Sequence, residues 1–111
     1  KGRFESLLQK LEPLNGKQAL IAQIDDIPTD TLREMSDWFR TQVTTGVMVL
    51  GSVTDGKPQL VVAVTDDLTR QGIHAGNLIK SIAAVIGGGG GRDVDRLREA
   101  LETARKLLSS S

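Results

Sequence analysis

Apolar residues recur at two different periods along this chain, and the switches between them mark the expected elements. Phe4, Leu7, Leu8, Leu11 and Leu14 are spaced for one face of a helix. They predict an amphipathic helix over residues 3–14, closed by Pro13 and the turn pair Asn15-Gly16. That helix is taken as the end of a linker or coiled coil, with residues 15–111 forming a single globular domain. Gln18 to Ile24 then reads as a strand, with Leu20, Ile21 and Ile24 apolar. Ile27-Pro28-Thr29-Asp30 opens a second helix. Thr31 and Glu34 stand at capping-box spacing, where each side chain satisfies a free N–H of the first turn. Leu32, Met35, Phe39 and Val43 form its apolar stripe, Trp38 borders it, and Thr44-Thr45-Gly46 should end it.

Val47 to Val53 and Gln59 to Thr65 follow as strands around the turn Thr54-Asp55-Gly56-Lys57, since Asp-Gly accepts the positive φ of a tight hairpin. Both strands are apolar almost without interruption. Strands of this kind are usually covered on both faces, so helices are expected on both sides of the sheet. Asp66 to Gly72 reads as a loop or one helical turn. Ala75, Leu78, Ile79, Ile82, Ala83 and Ile86 predict a helix that ends at the run Gly87 to Gly91. Asp93 then starts a last helix whose Val94, Leu97, Leu101, Ala104 and Leu108 form a core-facing or coiled-coil seam. The expected fold is α/β (α+β): a small mixed sheet of about three to five strands covered by helices. Its order is α-β-α-β-β-α-(Gly loop)-α.

Composition narrows the chemistry. The 111 residues suit one domain with a modest core. The absence of cysteine excludes thiolate nucleophiles and Cys-ligated zinc, and a single histidine, His74, excludes a His–His relay within the chain. No apolar run approaches membrane-spanning length and no leader is evident, so a cytoplasmic, membrane-free protein is expected. The sequence begins at Lys1-Gly2, as expected of a fragment. Fourteen basic and fourteen acidic residues give zero net charge, which is unusual for a nucleic-acid binder. The charges are nevertheless segregated. Asp25 to Asp37 holds five carboxylates against Arg33, whereas Leu68 to Arg92 has no acid and carries Arg70, His74, Lys80 and Arg92. Such segregation can sustain a local potential at zero net charge.

No catalytic constellation is visible. Asp25-Asp26 and Asp66-Asp67 sit at strand ends and read as loop acids, and a nucleophile has no His or Cys base beside it. Metal ligands are not grouped, so no metal or cofactor is expected in this domain. The run Gly87 to Gly91 followed by Arg92 lets a backbone approach a phosphate, because no Cβ intervenes. It follows a helix and lacks the Lys-Ser/Thr of a P-loop. It therefore reads either as a plain linker or as a loop that contacts a nucleic-acid backbone. His74 at a helix entrance is either a capping residue or a donor to phosphate.

The stretch His74-Ala75-Gly76-x-Leu78-Ile79-Lys80, followed by Ile86, the glycines and Arg92, resembles the C-terminal domain of alanyl-tRNA synthetases. That domain belongs to the DHH-associated family. Leu14-Asn15-Gly16, Thr31-Leu32-Arg33-x-x-x-Asp37 and Val49-Leu50-Gly51-Ser52 match in the same order, so the likeness runs over about 15 to 108. Where the family continues through Arg-Pro-Asp and a small-residue stretch, Arg92 here meets Asp93 directly. Either the loop is shorter or the intact protein carries residues missing from this sequence.

The resemblance implies a non-catalytic module that binds the outer elbow of tRNA and supports aminoacylation and editing by the parent alanine–tRNA ligase. ATP, magnesium and zinc would then belong to other domains of that enzyme. The implied RNA contacts are His74, Gly76, Lys80, Gly87, Gly88, Gly89, Gly90, Gly91 and Arg92. The implied partners are tRNA, the rest of the synthetase chain and a second copy joined through residues 3–14 or 94–108. Two alternatives stand beside it. One is the oligonucleotide-binding domain of a DHH phosphoesterase, whose loop carries a histidine directly after its glycines. The other is a module that only dimerises.

Overall fold

In a computed structural model of the chain, residues 6–54, 56–86 and 93–110 are described. The element order is a 3-10 turn Ser6–Lys10, β1 Glu12–Leu14, β2 Lys17–Gln23, α1 Thr29–Gln42, β3 Gly46–Thr54 and β4 Lys57–Val64. Three helices follow: α2 Asp66–Arg70, α3 Ala75–Ile86 and α4 Asp93–Ser110. The four strands lie in sequence order. β1 and β4 are antiparallel to their neighbours, and the central β2–β3 pair is parallel, with Ala19 opposite Val47 and Ile21 opposite Val49. A parallel pair needs a crossover between its strands, and α1 supplies it.

The uninterrupted apolar strands are explained by their two covers. Ala19, Ile21, Val47, Val49, Val62 and Val64 point to one face, where Leu68 of α2, Ile82 of α3 and Ala100, Leu101, Ala104 and Leu108 of α4 meet them. Leu20, Ala22, Met48, Leu50 and Ala63 point to the other, against Leu32, Met35 and Phe39 of α1 and Leu7 of the 3-10 turn. Gly51 makes room for α4, since a Cβ there would lie 2.8 Å from Leu97 Cδ1. Arg105 Nη2 donates to Glu12 Oε2 at 2.8 Å, tying the end of α4 to β1.

Three expectations are corrected. The helix over 3–14 is not formed: residues 6–10 make a single 3-10 turn and residues 12–14 an edge strand, while Phe4 lies outside the described residues. Pro13 cannot continue a helix. Asn15 and Gly16 have φ of 51° and 83°, as the type I′ hairpin turn between β1 and β2 requires. The capping box is also absent, because α1 begins at Thr29 with Pro28 at the N-cap and no side-chain cap. Finally, the described part of the α4 seam faces the chain's own core rather than a partner. Leu97, Leu101, Ala104 and Leu108 are all buried within the chain.

Candidate nucleic-acid interface

α3 is set by the chain on both sides of its first residue. Thr65 and α2 bring β4 to an end, and α2 closes through paired bonds from Gly72 N to Thr69 O and from Ile73 N to Leu68 O. This double closure is the Schellman arrangement, which needs positive φ at its turn residue; Gly72 supplies 106°. The chain then re-enters a helix at His74, whose carbonyl accepts from Leu78 N at 3.0 Å. His74 is therefore the N-cap residue, and its side chain is exposed.

From that start α3 buries Ile82 and half-buries Ala75, Leu78 and Ile79 against the sheet, leaving Gly76, Asn77, Lys80, Ser81 and Ala84 exposed. These positions are three or four apart and share one side of a helix. The structure thus unites His74, Gly76 and Lys80 on α3. Gly87, Gly88, Gly89, Gly90, Gly91 and Arg92 lie outside the described residues. Ile86, which precedes them, is about 18 Å along the helix axis from His74 at 1.5 Å per residue. Asn77 and Ser81 join this face without having stood out in the sequence, although counting three on from His74, and four on from there, finds them.

Residues remote in sequence border the same end of α3. A cleft of about 160 Å³ includes His74, Asn77, Ser81 and Gly72 in its lining. Beside it lies a cleft of about 400 Å³ formed by Asn15, Gly16, Lys17, Thr45, Gln71 and Gly72 among others. Lys17 opens β2, is 6% exposed, and donates from Nζ to Asn15 O at 3.4 Å. No carboxylate lines either cleft. Nothing in the sequence pattern points to Lys17, which the fold brings into one cleft with Gln71, Gly72 and Ile73.

One carboxylate of each acidic pair has structural employment. Asp25 Oδ1 accepts from Gln23 Nε2 at 3.0 Å and from Val53 N at 3.2 Å. Asp67 accepts from the Thr45 hydroxyl and from Thr65 Oγ1, the latter at 2.6 Å, while Thr65 Oγ1 accepts from Gly46 N at 3.0 Å. The Thr45 hydroxyl first, then that of Thr65, holds the Asp67 carboxyl below the ordinary carboxylate range. This network joins the start of β3 to the start of α2. Gly46 fits there because a Cβ would lie 2.8 Å from Gln18 O. No group of three or more potential metal ligands occurs among the described residues. No described helix is long and apolar enough to cross a membrane.

Residues 16–110 match the DHHA1 domain family. An alanine–tRNA ligase of Dehalococcoides mccartyi (strain BAV1) is 38% identical over 118 residues, covering 97% of this chain and 14% of that protein. An alanine–tRNA ligase of Pelotomaculum thermopropionicum is 40% identical with the same coverages. The chain thus spans about 14% of these relatives' length. The alignments run over 118 positions against 111 residues here, so the relatives carry residues that this chain lacks. The fold matches the crystal structure of the C-Ala domain from Aquifex aeolicus alanyl-tRNA synthetase with a TM-score of 0.77. That likeness has 21% identity and covers 90% of this chain and 98% of that one. The chain belongs to the DHHA1 domain family, in the form found in alanine–tRNA ligases.

Proposed function

We propose that this domain binds folded tRNA through the solvent face of α3, as the C-Ala module of an alanine–tRNA ligase. In this role it holds the nucleic acid in the cytoplasm while other parts of the ligase, with their ATP and metal ions, perform aminoacylation and editing. The observation that carries the proposal is the chemistry of that face. Its described side chains are Asn77, Lys80, Ser81 and Ala84 beside an exposed His74, with no carboxylate among them. A polyanion meets donors and one cation there, and no like charge.

The contacts would position RNA without reading its sequence, because donors of this kind engage phosphate and sugar. Stacking on bases is poorly supplied. Phe39 is fully buried and Trp38 packs against the core on the far side of the sheet. Recognition by shape of a folded RNA suits such a surface better than recognition of a single strand.

The test is a titration with folded tRNA at about 50 and about 200 mM salt, for the unsubstituted chain and for the Lys80→Ala, Arg92→Ala double substitution. Affinity should fall steeply with salt, and the double substitution should lower the salt slope by about one for each phosphate that no longer meets a cation. Binding that ignores both salt and the substitutions would sink the proposal.

A further inference from the structure

We infer that the bound RNA backbone does not stop at the N-terminus of α3 but continues into the cleft at the end of the sheet. There it meets the Asn15–Gly16 turn, Lys17 and Gln71. This inference rests on the tRNA-binding proposal above and extends it to residues from β1–β2 and α2.

The geometry points there for three reasons. The two clefts adjoin, sharing Gly72 and Ile73 in their linings, and together they reach from Ser81 on α3 to the β1–β2 turn. Their polar lining is made of amides, hydroxyls, the His74 imidazole and the Lys17 ammonium, with no carboxylate. The chain has as many acids as bases, so a groove of this length without an acid is a real separation of charge. The cleft across Thr45 shows the contrast: it is lined by Asp66 and Asp67 as well as Arg40 and Arg70. Thr45 reaches both sides, and its hydroxyl is committed to Asp67.

Access supplies the third reason. Asn15, Gly16, Gln71, Gly72, His74 and Asn77 are all exposed. A Cβ built on Gly16, Gly72 or Gly76 would meet nothing within 4 Å. Two of these bare stretches of backbone, at Gly16 and Gly72, line the clefts, and each lets a ribose–phosphate chain come closer than a side chain would. Lys17 also belongs to the lining, with its Nζ donating to Asn15 O at 3.4 Å.

The test returns carboxylates to this groove without disturbing the fold. Asn15→Asp keeps a favoured hairpin pair, since Asp-Gly serves a type I′ turn as Asn-Gly does. Gln71→Glu is isosteric and exposed. Gln9→Glu, on the 3-10 turn that packs on the opposite face of the sheet, is the control. The Asn15→Asp, Gln71→Glu double substitution should weaken tRNA binding about tenfold at low salt and less at high salt, with the control unchanged and melting unaffected. If the double substitution binds tRNA like the unsubstituted chain while Lys80→Ala weakens it, RNA is confined to α3 and this extension fails. If the unsubstituted chain does not bind tRNA, the extension and the tRNA proposal fall together.

Discussion

α1 and α3 cover opposite faces of one sheet and do so in the same way, each pressing an apolar stripe onto strand residues that alternate between them. Their outer faces differ completely. α1 presents Asp30, Arg33, Glu34, Asp37 and Arg40, with Asp37 and Arg40 paired to each other. α3 presents Asn77, Lys80, Ser81 and Ala84, and no acid. The inward faces are alternative solutions to the same packing problem. The outward faces divide the labour: α1 carries three acids against two arginines and disfavours a polyanion, while α3 exposes its donors and its lysine with no acid beside them.

The sharpest test of the shared part is truncation of the two inward stripes. Phe39→Ala on α1 should cost about 4 kcal/mol and Ile82→Ala on α3 about 3 kcal/mol, by denaturant unfolding. Both residues are fully buried. A loss below about 1 kcal/mol for Ile82→Ala would mean that α3 is not held as α1 is, and the comparison would break.

A smaller effect concerns Asp67, which sits where the two sides of the molecule meet. Its carboxyl is depressed by the Thr45 and Thr65 hydroxyls. A depressed carboxylate stabilises the fold above its unfolded value, near pH 4, and that contribution is lost as pH falls through the folded value. Asp67→Asn should therefore flatten the acid limb of the stability–pH curve and leave stability at pH 2 little changed. An unchanged acid limb would remove Asp67 from the link between β3 and α2.

The smallest effect is expected on the outer face of α1. Arg40→Ala should alter stability by no more than about 0.5 kcal/mol, because the Asp37–Arg40 pair is exposed. It should also leave tRNA affinity unchanged where Lys80→Ala reduces it. Equal losses from the two substitutions would erase the distinction between the outer faces.

Much of this architecture is legible in the sequence because strands and helices impose different periods. The three long strands, the stripe of α1 and the stripe of α3 follow from apolar spacing, and double coverage follows from strands that never alternate. The start of the chain misleads for a physical reason. Leu7, Leu8, Leu11 and Leu14 fit a helical spacing, yet Asn15-Gly16 is a stronger and more local signal for a hairpin, and Pro13 agrees with it. The α4 seam is ambiguous in the same sense: leucines at steps of three and four serve a partner helix or a sheet equally, and here the sheet takes them. The site is half legible. His74 stands out at a helix entrance, Gly76 and Lys80 are named as contacts only through the family resemblance, and all three fall at one helix. Lys17 and Thr45 come together only because a parallel crossover sets the starts of β2 and β3 side by side, which no local pattern encodes.

The placement of the prolines has a further consequence. The chain has three prolines. One, Pro28, is the N-cap of α1, and the other two, Pro13 and Pro58, lie in β1 and β4, the outer strands of the sheet. An outer strand offers unpaired amides that can recruit foreign strands, and proline has no N–H to offer. β1 is only three residues long as well. At both margins the sheet thus lacks an N–H that an added strand would need, a built-in protection against aggregation for a domain with two apolar cores.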